Sequence, residues 1–505
     1  MARHLLGGPR EKLGKKVSGF ISRIFFKEKM DNWLGYLCMA GLACITGFLL
    51  STDLVAGVSL FLFLVGVLAL TIFVTDPETC FYFFLFFAFW IYFFNSCFFH
   101  GNFPVGTLYD IIAVITLFGL MVGRPDFRAN AKAFGKITLA AYFFVIFFFN
   151  ILEIFNPNTG GISTTVITGI RKFFDFIIIL FAAYTLIDSL PKVRKFNKML
   201  FIAAGVSALY GCIQQWHGLF PWDMEAIMAN PDSFGLLFVN GQLRKFGTMN
   251  DPSEFGLLMA ATALYFFIIA LYEKDKATRL SYFVGIILMI LALGYSGTRT
   301  AYATLIAGLG FFILLNIEKP AIQRLGIASV AVFLLLMFGP FQGIAPIRRF
   351  RTTFIGTQDQ SYKVRMIARA WVQPYIRSHP IGGGLGTTGL IGAREHPGHP
   401  LANFQPDGAY VQKAAETGYI GLALICILYF MIMQLGIKGF FRARSPQIKN
   451  YYAACLSAIF SLYVGEYAQQ AVGGVSDSLF YFPAIAIMLN LKYMDIDAPE
   501  KFRII

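Results

Sequence analysis

The feature that most constrains this chain is its apolar runs: stretches of roughly 18 or more apolar residues recur along its whole length. A helix of that length crosses the hydrocarbon core of a bilayer while satisfying its own backbone hydrogen bonds. The expected fold is therefore all-α, a polytopic transmembrane helical bundle. The composition agrees, with 57% hydrophobic and 14% charged residues, where a soluble domain carries nearer a quarter charged. One bundle can absorb all 505 residues, so length alone does not require several domains.

Fourteen runs are counted, centred near residues 43, 64, 89, 114, 146, 181, 206, 262, 288, 308, 332, 426, 459 and 484. Basic residues set orientation, because Lys and Arg in short loops stay on the cytoplasmic side. With the N-terminus inside, the inner segments hold 28 of the 42 Lys and Arg. This predicts an even number of spans with both termini cytoplasmic. It also accounts for most of the +14 net charge without a nucleic-acid partner. The first thirty residues are basic and lead into a full span, so no cleavable signal peptide is expected. They read either as an amphipathic helix on an anionic leaflet or as a disordered basic tail. The seven cysteines form no CxxC pair, and neither a disulfide framework nor a zinc site is expected.

The 14 outer cations work against orientation, and 10 of them are arginine. Arginine presents a flat fork of donors that grips phosphate or carboxylate through two bonds at once. Five of the six histidines (His100, His217, His379, His396 and His399) lie on the same expected side. The chemistry is therefore expected to face outward. The expected organisation is a basic cytoplasmic segment 1–30, a bundle 31–339 with an outer loop 216–252, a large extracytoplasmic loop 340–412, and spans with a basic tail over 413–505. A loop as long as 340–412 is uncommon unless functional. Within it, Val364, Ile367, Ala368, Trp371 and Tyr375 follow helical spacing and predict an amphipathic helix over 361–376.

Four motifs are candidates for chemistry. "GLGTTG" (384–389) fits GxGxxG, but no strand precedes it, so a backbone-exposed turn is the better reading than a dinucleotide site. "REHPGHP" (394–400) is not HExxH, and its prolines keep both histidines off one helix face; no metal is expected. "QLRKFGTMNDPSEFG" (242–256) carries Arg244 and an Asn-Asp-Pro turn and N-cap signal. "GYSGTRTAYA" (294–303) places Arg299 alone between two apolar runs. Leaving that cation in lipid costs about 2.5–3.5 kcal/mol, so it snorkels to the interface or meets a ligand. Arg244 and Arg299 at one depth suggest a clamp for a lipid-linked phosphate.

In order along the chain, "RKFGTMNDPSEFG", "SGTRTAYATLIAG", "DQSYKVRMIARAWVQPYIRSHPIGGGLGTTG" and "DGAYVQKAAETGYIGLALI" resemble the motifs of the O-antigen ligase and polysaccharide polymerase superfamily. The resemblance covers roughly residues 240–440. It implies a membrane-embedded GT-C-like glycosyltransferase of the bacterial inner membrane, with its active site facing the periplasm. The implied donor is an undecaprenyl-diphosphate-linked glycan; the acceptor is a glycan or a lipid A core. Membrane lipids and other polysaccharide assembly proteins are candidate partners, and no cofactor is implied. Arg244 and Arg299 would bind the diphosphate, with Arg365 as a third candidate. Ligases carry His-Asn at the start of the last motif, where this chain has Asp407-Gly408. Asp407 is therefore the expected general base, with His379, His396 and His399 as backups, and the departure favours a polymerase over a ligase. A transporter of lipid-linked glycan is the reading from another class; it would use charges deep in the spans, for which Asp110 and Asp175 are the candidates.

Overall fold

The computed structural model describes residues 33–52, 60, 66–67, 69–99, 105–161, 164–228, 237–239, 242–249, 251–341, 343–354 and 360–495. The expected basic segment 1–30 and the centre of the run near 64 lie outside the described residues. The chain forms two compact units, residues 1–73 and 74–505. In the first, α1 spans Trp33–Thr52.

In the second, the order is α2 (Pro77–Phe99), α3 (Val105–Gly123), the short α4 (Phe127–Gly135), α5 (Thr138–Leu152), α6 (Thr164–Leu186) and α7 (Leu190–Trp216). The short α8 (Pro221–Met228) and a two-residue antiparallel pair, β1 (Phe238–Val239) and β2 (Gln242–Leu243), follow. Next come α9 (Pro252–Tyr272), α10 (Lys276–Ser296), α11 (Arg299–Leu315) and α12 (Pro320–Phe338). Three helices lie in the long loop: α13 (Ala345–Phe354), α14 (Gln360–Ser378) and α15 (Gly389–Glu395). The chain ends with α16 (Ala409–Arg442), α17 (Pro446–Gly465) and α18 (Val475–Met494). Eight of the described helices are long and apolar enough to cross a membrane. The helix expected over 361–376 is α14.

Helix starts follow from local chemistry. Asp251 caps α9, accepting from Ser253 N (2.6 Å) and Glu254 N (3.0 Å), with Pro252 at the first turn where its missing N–H costs nothing. Asp275 caps α10 by accepting from Thr278 N. α9 is the core of the bundle: Phe255 and Leu257 through Ile268 are almost all buried, packed by α7, α10, α11, α17 and α18. α12 is the opposite case, with Ile327, Val330, Leu335 and Phe338 exposed, the pattern of a lipid-facing helix.

The long α16 is not continuous. Gly418 adopts φ 64°, ψ −164°, and the freed backbone pairs with the glycine loop that precedes α15. Gly383 N donates to Ala415 O (2.9 Å), Gly384 N to Glu416 O (2.7 Å), and Tyr419 N to Pro380 O (3.0 Å). A Cβ on Gly418 would stand 1.9 Å from Pro380 O, so only glycine fits there. The strip 380–384 thus plugs the helix break, and the turn expected at 384–389 follows it at 385–386, mostly buried instead of backbone-exposed. Asn156 and Asn158 donate to Ile381 O and Gly382 O and fix the strip to the end of α5.

Candidate functional site

α10 closes at Gly297, which takes the left-handed φ of 62° and turns the chain directly into Thr298 and the first residue of α11, Arg299. The segment that leaves β2 runs alongside: Lys245 N donates to Tyr295 O (3.1 Å). Gln214 of α7 holds that segment from below, with Oε1 accepting from Gly247 N (2.9 Å) and Nε2 donating to Gly247 O (3.2 Å). Arg244 is thereby aimed at the turn. Its Nε donates to Ser296 O (3.0 Å), and its Nη2 to Thr298 Oγ1 (2.8 Å) and Ser253 Oγ (3.3 Å). From α13, Arg349 Nη1 donates to Gly297 O (2.9 Å).

Arg244, Arg299 and Arg349 therefore gather around one small turn. Burial depresses the Arg244 guanidinium pKa, Asp251 works against the shift, and the charges of Arg349 and Arg299 add to it. Burial and then Arg299 depress Arg349 in the same direction. Guanidinium stays protonated throughout, so these shifts register the cost of taking the charges out of water, with a smaller cost from the like charges beside them. The three hydrogen-bond partners of Arg244 are neutral oxygens, and Asp251 Oδ1 is occupied in capping α9. A cavity of about 190 Å³ opens here, lined by Arg244, Lys245, Arg349, Tyr295 and Gln215. That is below the roughly 300 Å³ of an ordinary ligand pocket; it suits phosphate groups, not a glycan.

The other expected residues are placed as follows. Arg365 is brought to Asp407, Nε to Oδ2 at 3.7 Å, both partly exposed. One turn on, Arg369 donates to Tyr467 O (2.8 Å) and covers the Tyr467 ring, fastening α14 over the turn that follows α17. His379 stacks on Tyr375 at 4.0 Å, with Nδ1 near Ser378 Oγ and Tyr375 O. His399 has both nitrogens engaged: Nε2 donates to Asn158 O (3.0 Å), which leaves Nδ1 to accept from Leu401 N (3.1 Å). Burial lowers its pKa, so it is neutral at pH 7. Of the deep charges, Asp110 pairs with Arg171 (2.9 Å). Among the described residues no cluster of three metal-ligating side chains occurs.

A second cavity, of about 340 Å³, lies beside the helix break. Its polar lining comes from Lys172, Gln412, Lys413, Glu416, Glu466 and Gln470, and its aromatic wall from Tyr410, Tyr429 and Tyr481. The break at Gly418 aims Glu416 inward, where Thr388 Oγ1 and Gln412 Nε2 donate to its Oε1. Glu466, in the turn after α17, accepts from Ala471 N and Val472 N (2.6 Å each) and from Tyr429 OH (3.2 Å). Burial pushes its carboxyl up to about 7, opposed by those same hydrogen bonds. Sequence reasoning missed both glutamates. The available signal was an acid at the lip of an apolar run, in "ETG" and "GEYAQQ". Glu254, in the first turn of α9, accepts from Ser476 N (3.3 Å).

A family model described as O-antigen ligase matches residues 284–426. The match takes in Arg299, Arg349, Arg365, Asp407 and Glu416, and leaves Arg244 and Glu466 outside. No curated protein matches the chain. Over residues 284–426 this helical chain, with several helices apolar enough to cross a membrane, is similar to the O-antigen ligase-like superfamily.

Proposed function

We propose that the protein is a membrane glycosyltransferase that joins undecaprenyl-diphosphate-linked oligosaccharide repeat units on the extracytoplasmic face. The observation that carries this reading is the gathering of Arg244, Arg299 and Arg349 around Gly297. The acceptor hydroxyl attacks the anomeric carbon of the donor. The bond from that carbon to phosphate oxygen breaks, and the lipid diphosphate leaves with the electron pair. Three guanidinium groups in place before the reaction stabilise the charge that develops on the leaving group, without reorganising to do so. Asp407 takes the acceptor proton, and Arg365 at 3.7 Å orients its carboxylate. The second cavity, with tyrosines beside amide and charged groups, has the mixed lining that suits a sugar.

The experiment is a purified reaction containing only lipid-linked donor. A ladder of products supports the polymerase. No product until a lipid A core is added supports a ligase, the second reading, which the description of the matching family favours. In either case Arg299→Lys retains charge but loses the bidentate grip, and product falls at least about 100-fold. Unchanged yield in that variant would remove the clamp from the account.

A further inference from the structure

A third cavity, larger than the two above, has no part in the proposed reaction. It encloses about 650 Å³ at the end of the bundle opposite the arginine turn. α16 connects the two ends: Ala409 N bonds to Glu466 O beside the second cavity, and Lys438 and Arg442 line this one. Lys136, between α4 and α5, and Lys492, near the end of α18, complete the basic rim. One carboxylate, Asp495, stands among the four cations. Its oxygens are already committed, Oδ2 to Arg444 N (2.8 Å) and Oδ1 to Ser445 N (3.3 Å). The rim therefore keeps a net positive charge. Beneath it the lining turns apolar, with Leu139, Met431, Leu435, Met488 and Leu489.

Two ordinary explanations fall short. Cations favour helix C-termini, which accounts for Arg442 and Lys492 in the last turns of α16 and α18. It does not account for Lys438, deeper in α16, or for the space the helix ends enclose. The excess of Lys and Arg in inner connections accounts for the number of charges, but not for their closing around one apolar-floored cavity.

We propose that this cavity binds an anionic phospholipid, with phosphodiester oxygens on Lys136, Lys438 and Lys492 and the acyl chains along Leu139, Met431 and Leu435. A basic pocket between transmembrane helices has the chemistry such headgroups need. Lysine suits this role, because its ammonium is a mobile point charge that follows a headgroup without fixing one geometry. The apolar floor favours a lipid over a free anion, since a soluble phosphate leaves that surface without a partner.

The test uses the detergent-purified full chain, with retained lipid read by native mass spectrometry and the unfolding temperature read in parallel. Diphosphatidylglycerol is expected to bind and raise the unfolding temperature, with phosphatidylcholine inert at the same concentration. Each lysine removed weakens binding about fivefold, so Lys438→Gln/Lys492→Gln loses about 25-fold. The variant's unfolding temperature in phosphatidylcholine alone should equal the wild type's. If the double variant does not fold, the exposed Lys136→Gln serves, with the fivefold loss expected. Undiminished diphosphatidylglycerol binding in the folded variant overturns the site. Displacement of the lipid by equimolar inorganic diphosphate overturns the lipid assignment and leaves a free-anion pocket.

Discussion

The two ends of the bundle are both basic, yet they are built differently. At one end Arg244 and Arg349 are partly buried and hydrogen-bonded to backbone and hydroxyl oxygens, and burial, with the charge of Arg299 beside them, depresses the pKa of both. At the other, Lys136 and Lys438 stand exposed at the rim of a cavity more than three times larger. Holding like charges together in a partly buried turn is unfavourable and persists where surrounding structure enforces it. Here the enforcement is visible in Gln214 clamping Gly247 and in the left-handed Gly297. At the lysine end Lys136 and Lys438 are exposed instead of being held in a turn, and Lys492 lies over the Tyr493 ring. Fixed forks recognise a fixed anion, and mobile point charges tolerate a variable one. The comparison teaches that net charge alone does not separate a reaction site from a lipid contact; the degree of preorganisation does.

Substitutions that blur the difference between the ends should have unequal effects. The largest is at the arginine turn. Arg349→Lys, like Arg299→Lys, should lower transfer at least about 100-fold in the lipid-linked donor assay, whereas Lys438→Gln leaves it unchanged. Next is Asp407→Asn. It should reduce turnover about 100-fold or more if Asp407 is the base, and a loss of only a few fold would make the Arg365 pair an aid to positioning. Gly418→Ala tests the scaffold of the second cavity. The left-handed backbone alone costs about 1–3 kcal/mol, and the 1.9 Å approach to Pro380 O adds to it. A fall in unfolding temperature should be measured, with greater protease sensitivity over 380–420.

The smallest effect concerns pH. The folded carboxyl of Glu466 sits near 7, above an unfolded value of about 4.3. Between those values the folded state holds more protons, so this group's stabilisation is complete at acid pH and fades as pH rises through 7. Glu466→Gln retains an oxygen acceptor for Ala471 N and Val472 N and should remove that slope from unfolding measured between pH 5 and 8. An identical slope in the variant would assign the titration elsewhere.

The helices were legible because lipid is a simple solvent. A long apolar run has one stable form there, and every expected centre from 89 to 484 lies inside a described helix. The interruption at Gly418 was not legible. The apolar pattern runs through "ETGYIG", and the break is stabilised by a partner 35 residues earlier, at Gly383 and Gly384. Arg299 stood out because apolar sequence bounds it, and Arg244 because it precedes an Asn-Asp-Pro helix-start signal on the expected outer side. Arg349 did not, since "IRRFR" in a basic loop looks like any solvated cation run. His379 and His399 were reasonable by residue type, but a sequence does not show that a carbonyl and an amide already occupy the ring of His399.

The most direct measurement is the affinity of the purified protein for undecaprenyl diphosphate without sugar, compared across wild type, Arg299→Lys and Lys438→Gln/Lys492→Gln. The account predicts that Arg299→Lys binds at least about tenfold more weakly, and that the lysine variant binds as the wild type does. Equal affinity in Arg299→Lys, or loss of the diphosphate only in the lysine variant, would place the phosphate site at the wrong end of the molecule and contradict it.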